Sequence, residues 1–281
     1  MENKRILVIG GTGYIGKEIV PILSKSGYSV FVFSRTLPNV LIKHVRYIKG
    51  DLRFSDSLIP AMEDVDIVIY LAAVVRSLNK NKFKQNIVCL KNTIKAMKQQ
   101  KVKKLLYFST INVTIPKTGS YGNSKKECEG AVKTSALDYV IARPNFVYGI
   151  DKNSYFYTLY SIMKKSHILL TLGNPNKLFE PINKKDVAVI TLKLIKNWKK
   201  GRIVHLSGKE KLSFSKVGTL IKKLSKISAI NITIPMWLLK FFKIFISFDV
   251  NGVDKDQVAR NDVIYGSHSL HQDIQKIINQ N

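Results

Sequence analysis

Along the first half of the chain, apolar residues recur with two different periods. Arg5–Gly10 carries an apolar run that ends in glycine, as expected of a strand buried on both faces. Tyr14–Ser26 then places Ile15, Ile19, Ile22 and Leu23 on one side of a helix. Ser29–Ser34, Val45–Lys49 and Asp66–Leu71 read as further strands and Lys84–Gln100 as a long helix. Lys103–Ser109 reads as a fifth strand, Tyr121–Ser135 as a helix and Asp138–Arg143 as a sixth strand. This alternation predicts an α/β fold: a doubly wound parallel sheet with helices on both faces.

After Pro144 the pattern loosens. Phe156–Lys165 has helical spacing, His167–Leu172 is extended, and Lys184–Trp198 is helical again. Arg202–Leu206 reads as a late strand returning to the sheet, followed by a helix over Phe214–Leu224. From Pro235 onward the sequence is mostly helical and amphipathic, with no internal repeat. The expected organisation is a sheet domain over residues 1–150 and a small, interleaved, mostly helical lobe over 151–281.

Charge widens the range of partners. Lys plus Arg number 46 against 19 Asp plus Glu, a formal net charge of +27. Nucleic acid, an anionic membrane surface and phosphorylated substrates all suit that sign. The lysines are spread, with only short runs at Lys101–Lys104 and Lys199–Lys200, so no dedicated nucleic-acid site is expected. Residues 236–248 mix Trp237, Leu238, Leu239, Phe241 and Phe242 with Lys240 and Lys243. That segment reads as a lid or dimer helix, or as an amphipathic helix for peripheral membrane contact. The stretch Ile232–Phe248 is broken by Pro235 and the two lysines and falls short of the roughly 18 apolar residues of a spanning helix.

Two cysteines, Cys89 and Cys128, with no C-x-x-C, argue against disulfides and fit a reducing cytoplasm. The N-terminus runs straight into the first strand and does not read as a signal peptide. His268 and His271 share a helical face without companion ligands, so no metal is expected.

Candidate chemistry begins at Gly10-Gly11-Thr12-Gly13-Tyr14-Ile15-Gly16, between the first strand and the first helix. Glycines at 10, 13 and 16 allow a tight turn and close approach of backbone to a pyrophosphate, which helix N-terminal amides then face. At the end of the second strand, Ser34 and Arg35 stand where an acid would bind ribose hydroxyls. A hydroxyl and a guanidinium suit a 2′-phosphate, so NADP is the chosen cofactor, with NAD the alternative. Tyr121 and Lys125, four apart at the start of a helix, share one face. A nearby ammonium lowers a phenol's pKa and brings proton transfer within reach.

In this order the motifs resemble the extended short-chain dehydrogenase/reductase superfamily of nicotinamide-dependent epimerases, dehydratases and reductases. Further matches are Gly50-Asp51-Leu52, Leu71-Ala72-Ala73, Arg143-Pro144, Val147-Tyr148-Gly149 and Lys185-Asp186-Val187-Ala188. Asn86 and Asn92 match an Asn-x-x-Gly-x-x-Asn helix only in part, because Cys89 replaces the glycine. The resemblance implies a Rossmann domain and places Asp51 at the adenine, Leu71–Ala73 beneath the cofactor and Lys125 on the nicotinamide ribose. It also implies a hydroxyl at the end of the fifth strand to hold the reacting oxygen. Thr110 is preferred for that role, with Ser109 close behind.

Dehydratases of the family carry Thr-Asp-Glu at this strand end. Here Thr110 is followed by Ile111 and Asn112, which argues against dehydration. The second half resembles nucleotide-sugar enzymes of surface-polysaccharide pathways. Asn145, Phe146 and Val147 are then expected on the substrate side, and Lys177 and Lys184 near a diphosphate. Reduction of a nucleotide-linked keto-sugar is the leading expectation. A 4-epimerase, an enzyme for a steroid-like or terpenoid ketone, and a non-catalytic dinucleotide-binding accessory protein are the alternatives. A homodimer is a family-based expectation.

Overall fold

The computed structural model describes residues 4–235, 238 and 255–280. Its first strands are β1 (Arg5–Ile9), β2 (Ser29–Ser34), β3 (Val45–Lys49), β4 (Ile67–Tyr70), β5 (Lys104–Phe108) and β6 (Asp138–Pro144). Helices α1 (Gly16–Lys25), α2 (Ser55–Leu58), α3 (Lys84–Gln99) and α4 (Ser120–Lys133) lie between them. The strands stack in the order β3-β2-β1-β4-β5-β6, all parallel. Winding reverses between β1 and β4. In open α/β sheets, ligands bind in the crevice outside the carboxyl ends at such a switch point.

Burial follows the two-residue period of a sheet covered on both faces. Ile6 and Val8 pack with α1, while Leu7 and Ile9 pack with α3 and α4, all four fully buried. Most elements end within two residues of the sequence-based bounds, because terminal residues leave the ladder as the chain turns. Tyr14 and Ile15 stand outside α1. The glycine turn, closed by Gly13 N–H donating to Gly10 O at 3.0 Å, takes up those positions.

The second half contributes β7 (Val147–Tyr148), α5 (Tyr155–Ser166), β8 (Ile168–Leu172), β9 (Leu178–Phe179), β10 (Ile182–Asn183), α6 (Lys184–Lys196) and β11 (Arg202–Ser207). Then come β12 (Leu212–Ser213), α7 (Phe214–Ser225), β13 (Ile230–Ile234), β14 (Val263–Tyr265) and α8 (Leu270–Asn279). α6 packs against α1, β11 pairs with β6, and β14 pairs with β11. The sheet thus reaches eight parallel strands among the described residues. The lobe core gathers Phe156 and Met163 of α5, Val217 and Ile221 of α7 and Ile274 of α8.

Six strands escape the sequence pattern, and four of them, β7, β9, β10 and β12, are only two residues long. β13 pairs in parallel with β8, but its Ile230 and Ile232 face outward, so its apolar residues do not mark a core. β14 interrupts a segment expected to be mostly helical, and three residues are too few to express a period. Apart from Leu238, residues 236–248 lie outside the described residues.

Candidate active site

The turn after β1 works because glycine leaves room at two points. Gly10 has φ +83°, and a β-carbon there would come within 2.8 Å of Ala72 N, so the loop packs onto the chain leaving β4. A β-carbon on Gly16 would meet Gly10 O at 2.5 Å, so the start of α1 abuts the turn. The result is a cleft of about 460 Å³ along the carboxyl ends of the strands. Gly10, Gly13, Tyr14, Ile15, Gly16, Ser34, Arg35, Asp51, Leu52, Leu71, Ala72, Ala73, Asn86, Ser109, Tyr121, Lys125 and Pro144 all line it. Thr110, Asn145, Phe146 and Val147 are not among its lining residues.

At the end near β2, the Asp51 carboxylate accepts from Arg53 Nε at 2.9 Å and Nη2 at 2.6 Å. These bonds to Arg53 hold Asp51 below the usual carboxylate range, and Arg35 adds to the effect from nearby. Asn92 of α3 donates to Leu52 O at 3.0 Å and Arg53 O at 2.9 Å, fixing that loop. Sequence reading missed Arg53, Val74, Val75, Gln85 and Cys89 as lining residues. Arg53 carried a usable signal, a second cation directly after Gly50-Asp51-Leu52. Cys89, in the family's glycine position, faces the cleft, and burial pushes its thiol pKa up.

At the other end, Asn86 ties three elements together. It accepts from Val74 N at 2.7 Å and donates to Val74 O at 3.1 Å and Ser124 Oγ at 3.0 Å. The strap under the cleft is thereby fixed to α4, which carries Tyr121 and Lys125. Lys125 is 2% exposed, and its ammonium donates to Phe108 O at 2.6 Å over the Tyr107 ring. Burial pushes Lys125 down to about 8, while Cys128 and Glu129 act the other way. Burial also raises the Tyr121 phenol well above its usual value. The expected lowering of Tyr121 by Lys125 is therefore corrected: burial dominates, and Tyr121 is held as a neutral phenol.

The two candidate hydroxyls differ. Thr110 Oγ1 accepts from Asn112 N at 3.3 Å and caps a short 3-10 turn. Ser109 Oγ is buried with no partner at ordinary hydrogen-bond geometry, yet it lies close enough to Glu129 to help stabilise that carboxylate. Glu129 accepts from Arg143 Nε at 2.9 Å and Nη2 at 2.7 Å, and Arg143 reaches His205 at 3.3 Å.

Lys184 does not wait for a diphosphate. Its ammonium pairs with Glu18 of α1 and with Asp151, both at 2.9 Å, over the Tyr14 ring. The expected role is corrected, since two carboxylates already neutralise this cation. Tyr14, pushed up to about 12 by burial and then by Asp151, is clamped between α1 and the lobe. Phe146 packs against Tyr155, Phe156, Phe179 and Phe214, making it part of the lobe's aromatic core. Asn145 donates to Gln257 O at 2.7 Å, and Val147 pairs with Ile182. His268 is engaged by Asp186 at 2.9 Å.

A glycine turn at the switch point of a parallel sheet, with a buried lysine and a tyrosine across the cleft, defines a dinucleotide-binding protein. A family model described as NAD(P)H-binding matches residues 10–197, and the chain belongs to that family. The glycine cradle, free of β-carbons where the phosphates must approach, fits the cofactor. Isoflavone reductase homolog P3 of Arabidopsis thaliana is 29% identical over 143 residues, 47% of this chain and 43% of that protein. Short-chain dehydrogenase/reductase family 42E member 1 of Homo sapiens is 24% identical over 220 residues, 64% of this chain and 55% of that protein. The chain thus spans about half the length of these curated relatives.

Among solved structures, UDP-glucose 4-epimerase of Thermotoga maritima with UDP-glucose superposes with a TM-score of 0.79 at 17% identity, covering 98% of this chain and 97% of that one. UDP-N-acetylglucosamine 4-epimerase of Bacillus cereus gives 0.74 at 19%, covering 99% and 96%. At such identities the likeness establishes the fold.

Proposed function

We propose that the protein is an NADP(H)-dependent oxidoreductase interconverting a carbonyl and a carbinol carbon, most readily the keto group of a nucleotide-linked sugar. One observation carries the reading: a single cleft runs from Arg35 and Arg53 to Ser109, Tyr121 and Lys125. The amides of residues 10–16 bind the pyrophosphate, Arg35 pairs with the 2′-phosphate and Asp51 meets the adenine. A bound nicotinamide supplies or accepts the hydride. Lys125 orients the ribose, a Ser109 or Thr110 hydroxyl holds the reacting oxygen, and Tyr121 delivers its proton to that oxygen as negative charge develops. A phenol kept neutral by burial is suited to the acid role in carbonyl reduction. Free thiols at Cys89 and Cys128 suit a reducing cytoplasm.

The test is the amount of NADPH consumed per product formed from a UDP-linked 4-keto-6-deoxy-N-acetylhexosamine. One-to-one consumption, lost in Tyr121→Phe, supports the reading. An isomerised sugar without NADPH consumption makes the protein an epimerase. A second reading, an aromatic or sterol-like ketone, draws support from Lys184 being ion-paired and from relatives named as isoflavone reductase homolog and sterol-4-alpha-carboxylate 3-dehydrogenase. Turnover of such ketones alone would select it.

A further inference from the structure

The crossover from β2 to β3 contains no helix. Residues 35–44 run as an irregular segment past the edge of the sheet. Within it Leu37, Val40 and Leu41 are 51%, 81% and 61% exposed. The neighbouring Ile42 turns inward against the sheet core, and its N–H donates to Tyr47 OH at 3.3 Å. The segment therefore has an internal apolar anchor already, and three large aliphatics are left outside. Isolated exposed aliphatics are ordinary on protein surfaces, but three within five positions form a local apolar tip. None of the three lines the cofactor cleft.

The charge around this tip has one sign. Positions 36–50 hold Lys43, His44, Arg46 and Lys49, all exposed, and no aspartate or glutamate. The next acid, Asp51, is taken by Arg53. Phe54 is also 61% exposed and adds an apolar ring shortly after β3. An apolar tip shouldered by cations matches the two forces that hold a protein on an anionic bilayer. Aliphatic side chains enter the headgroup boundary, and Lys and Arg are drawn to the negative surface. Nucleic acid gains nothing from exposed Leu and Val, because its recognition uses hydrogen bonds, stacking and phosphate contacts.

We infer that residues 36–49 dock this protein on an anionic lipid surface, with Leu37, Val40 and Leu41 entering the headgroup layer. This contact rests on the loop before β3 and on β3 itself, and it does not depend on the substrate. The test is co-sedimentation of the full chain with phosphatidylcholine vesicles, with and without phosphatidylserine, at low and high salt. Binding to the anionic vesicles, weakened by salt, is expected. The Val40→Asp/Leu41→Asp variant should bind about tenfold more weakly and Lys43→Glu about fivefold more weakly. Both should keep the parent melting temperature and NADPH affinity, because all three side chains are exposed. No binding to anionic vesicles overturns the inference, as does equal binding to neutral ones. Full vesicle binding by both variants overturns it too and moves the contact to another segment. Retention on duplex DNA that these substitutions reduce, without vesicle binding, makes the surface a nucleic-acid contact and likewise overturns it.

Discussion

Replacing Glu129 by glutamine would break the polar link beneath the chemical end of the cleft. The Glu129 side chain is 4% exposed and Arg143 17% exposed, and two hydrogen bonds at 2.9 and 2.7 Å join them. Removing one charge of such a pair leaves the other buried and uncompensated, which costs about 3–5 kcal/mol. Arg143 keeps some solvent and its contact with His205, so the lower end applies. About 3 kcal/mol corresponds to a fall of roughly 6 °C in Tm for a chain of this size. Burial alone would raise the Glu129 pKa, but the bonds to Arg143 outweigh it and hold the carboxyl below the usual range. A depressed folded pKa means the stabilisation is complete above the unfolded glutamate value, about 4.3, and is lost as pH falls through the folded one. Melts at neutral pH should show the full gap between parent and Glu129→Gln, and melts in acid should show it closing. Glu129→Met/Arg143→Met, which removes both charges, should recover part of the loss. An unchanged Tm at neutral pH, or a double variant worse than the single, would refute the reasoning.

Four further outcomes follow from the site. Tyr121→Phe should cut turnover about a thousandfold while leaving NADPH affinity unchanged, as measured by fluorescence titration. NADPH affinity should fall above about pH 8 as Lys125 loses its proton, and Lys125→Met should bind weakly with a flat profile. The folded value of Lys125 lies below its ordinary 10.5, so its charge opposes folding at neutral pH, and that cost fades as pH rises from about 8 towards 10.5. Lys125→Met should therefore melt higher than the parent at pH 7, with the difference shrinking in alkali. Arg35→Ala should lower the preference for NADPH over NADH about tenfold, with Arg53→Ala doing less because Asp51 already holds that guanidinium; equal losses for both cofactors would count against the 2′-phosphate contact.

Much of the sheet was legible because strands covered on both faces need unbroken apolar runs, and Arg5–Ile9, Ile67–Tyr70 and Lys104–Phe108 have them. The glycine turn was legible for a steric reason, since no other residue leaves room for Ala72 N at Gly10 or for Gly10 O at Gly16. β14 was hidden by its length, and β13 by apolar residues that face outward. Lys184 misled because a lysine's position says nothing of its partners. Glu18 and Asp151, distant in sequence from it and from each other, converge on its ammonium only in the fold. Phe146 misled in the same way, since its place beside the sixth strand did not show that Phe179 and Phe214 would close around it.

The groups that hold the site share a character its motifs do not express. Asn86 locks the strap after β4 to α4, Asn92 locks the loop after β3 to α3, and Glu129 locks α4 to β6. Each is a buried or half-buried polar side chain whose partners belong to another element. Losing one leaves a donor or acceptor unsatisfied as well as a contact missing. A Tyr-x-x-x-Lys pair can arise by chance on any helix. Its chemistry depends on where that helix stands relative to the glycine turn, and these cross-element links set that distance. Asn86 bears on it most directly, because one amide contacts both Val74 of the cofactor strap and Ser124, between Tyr121 and Lys125 on α4. The motif supplies reactive groups, and the buried amides and the carboxylate hold them in register with the cleft.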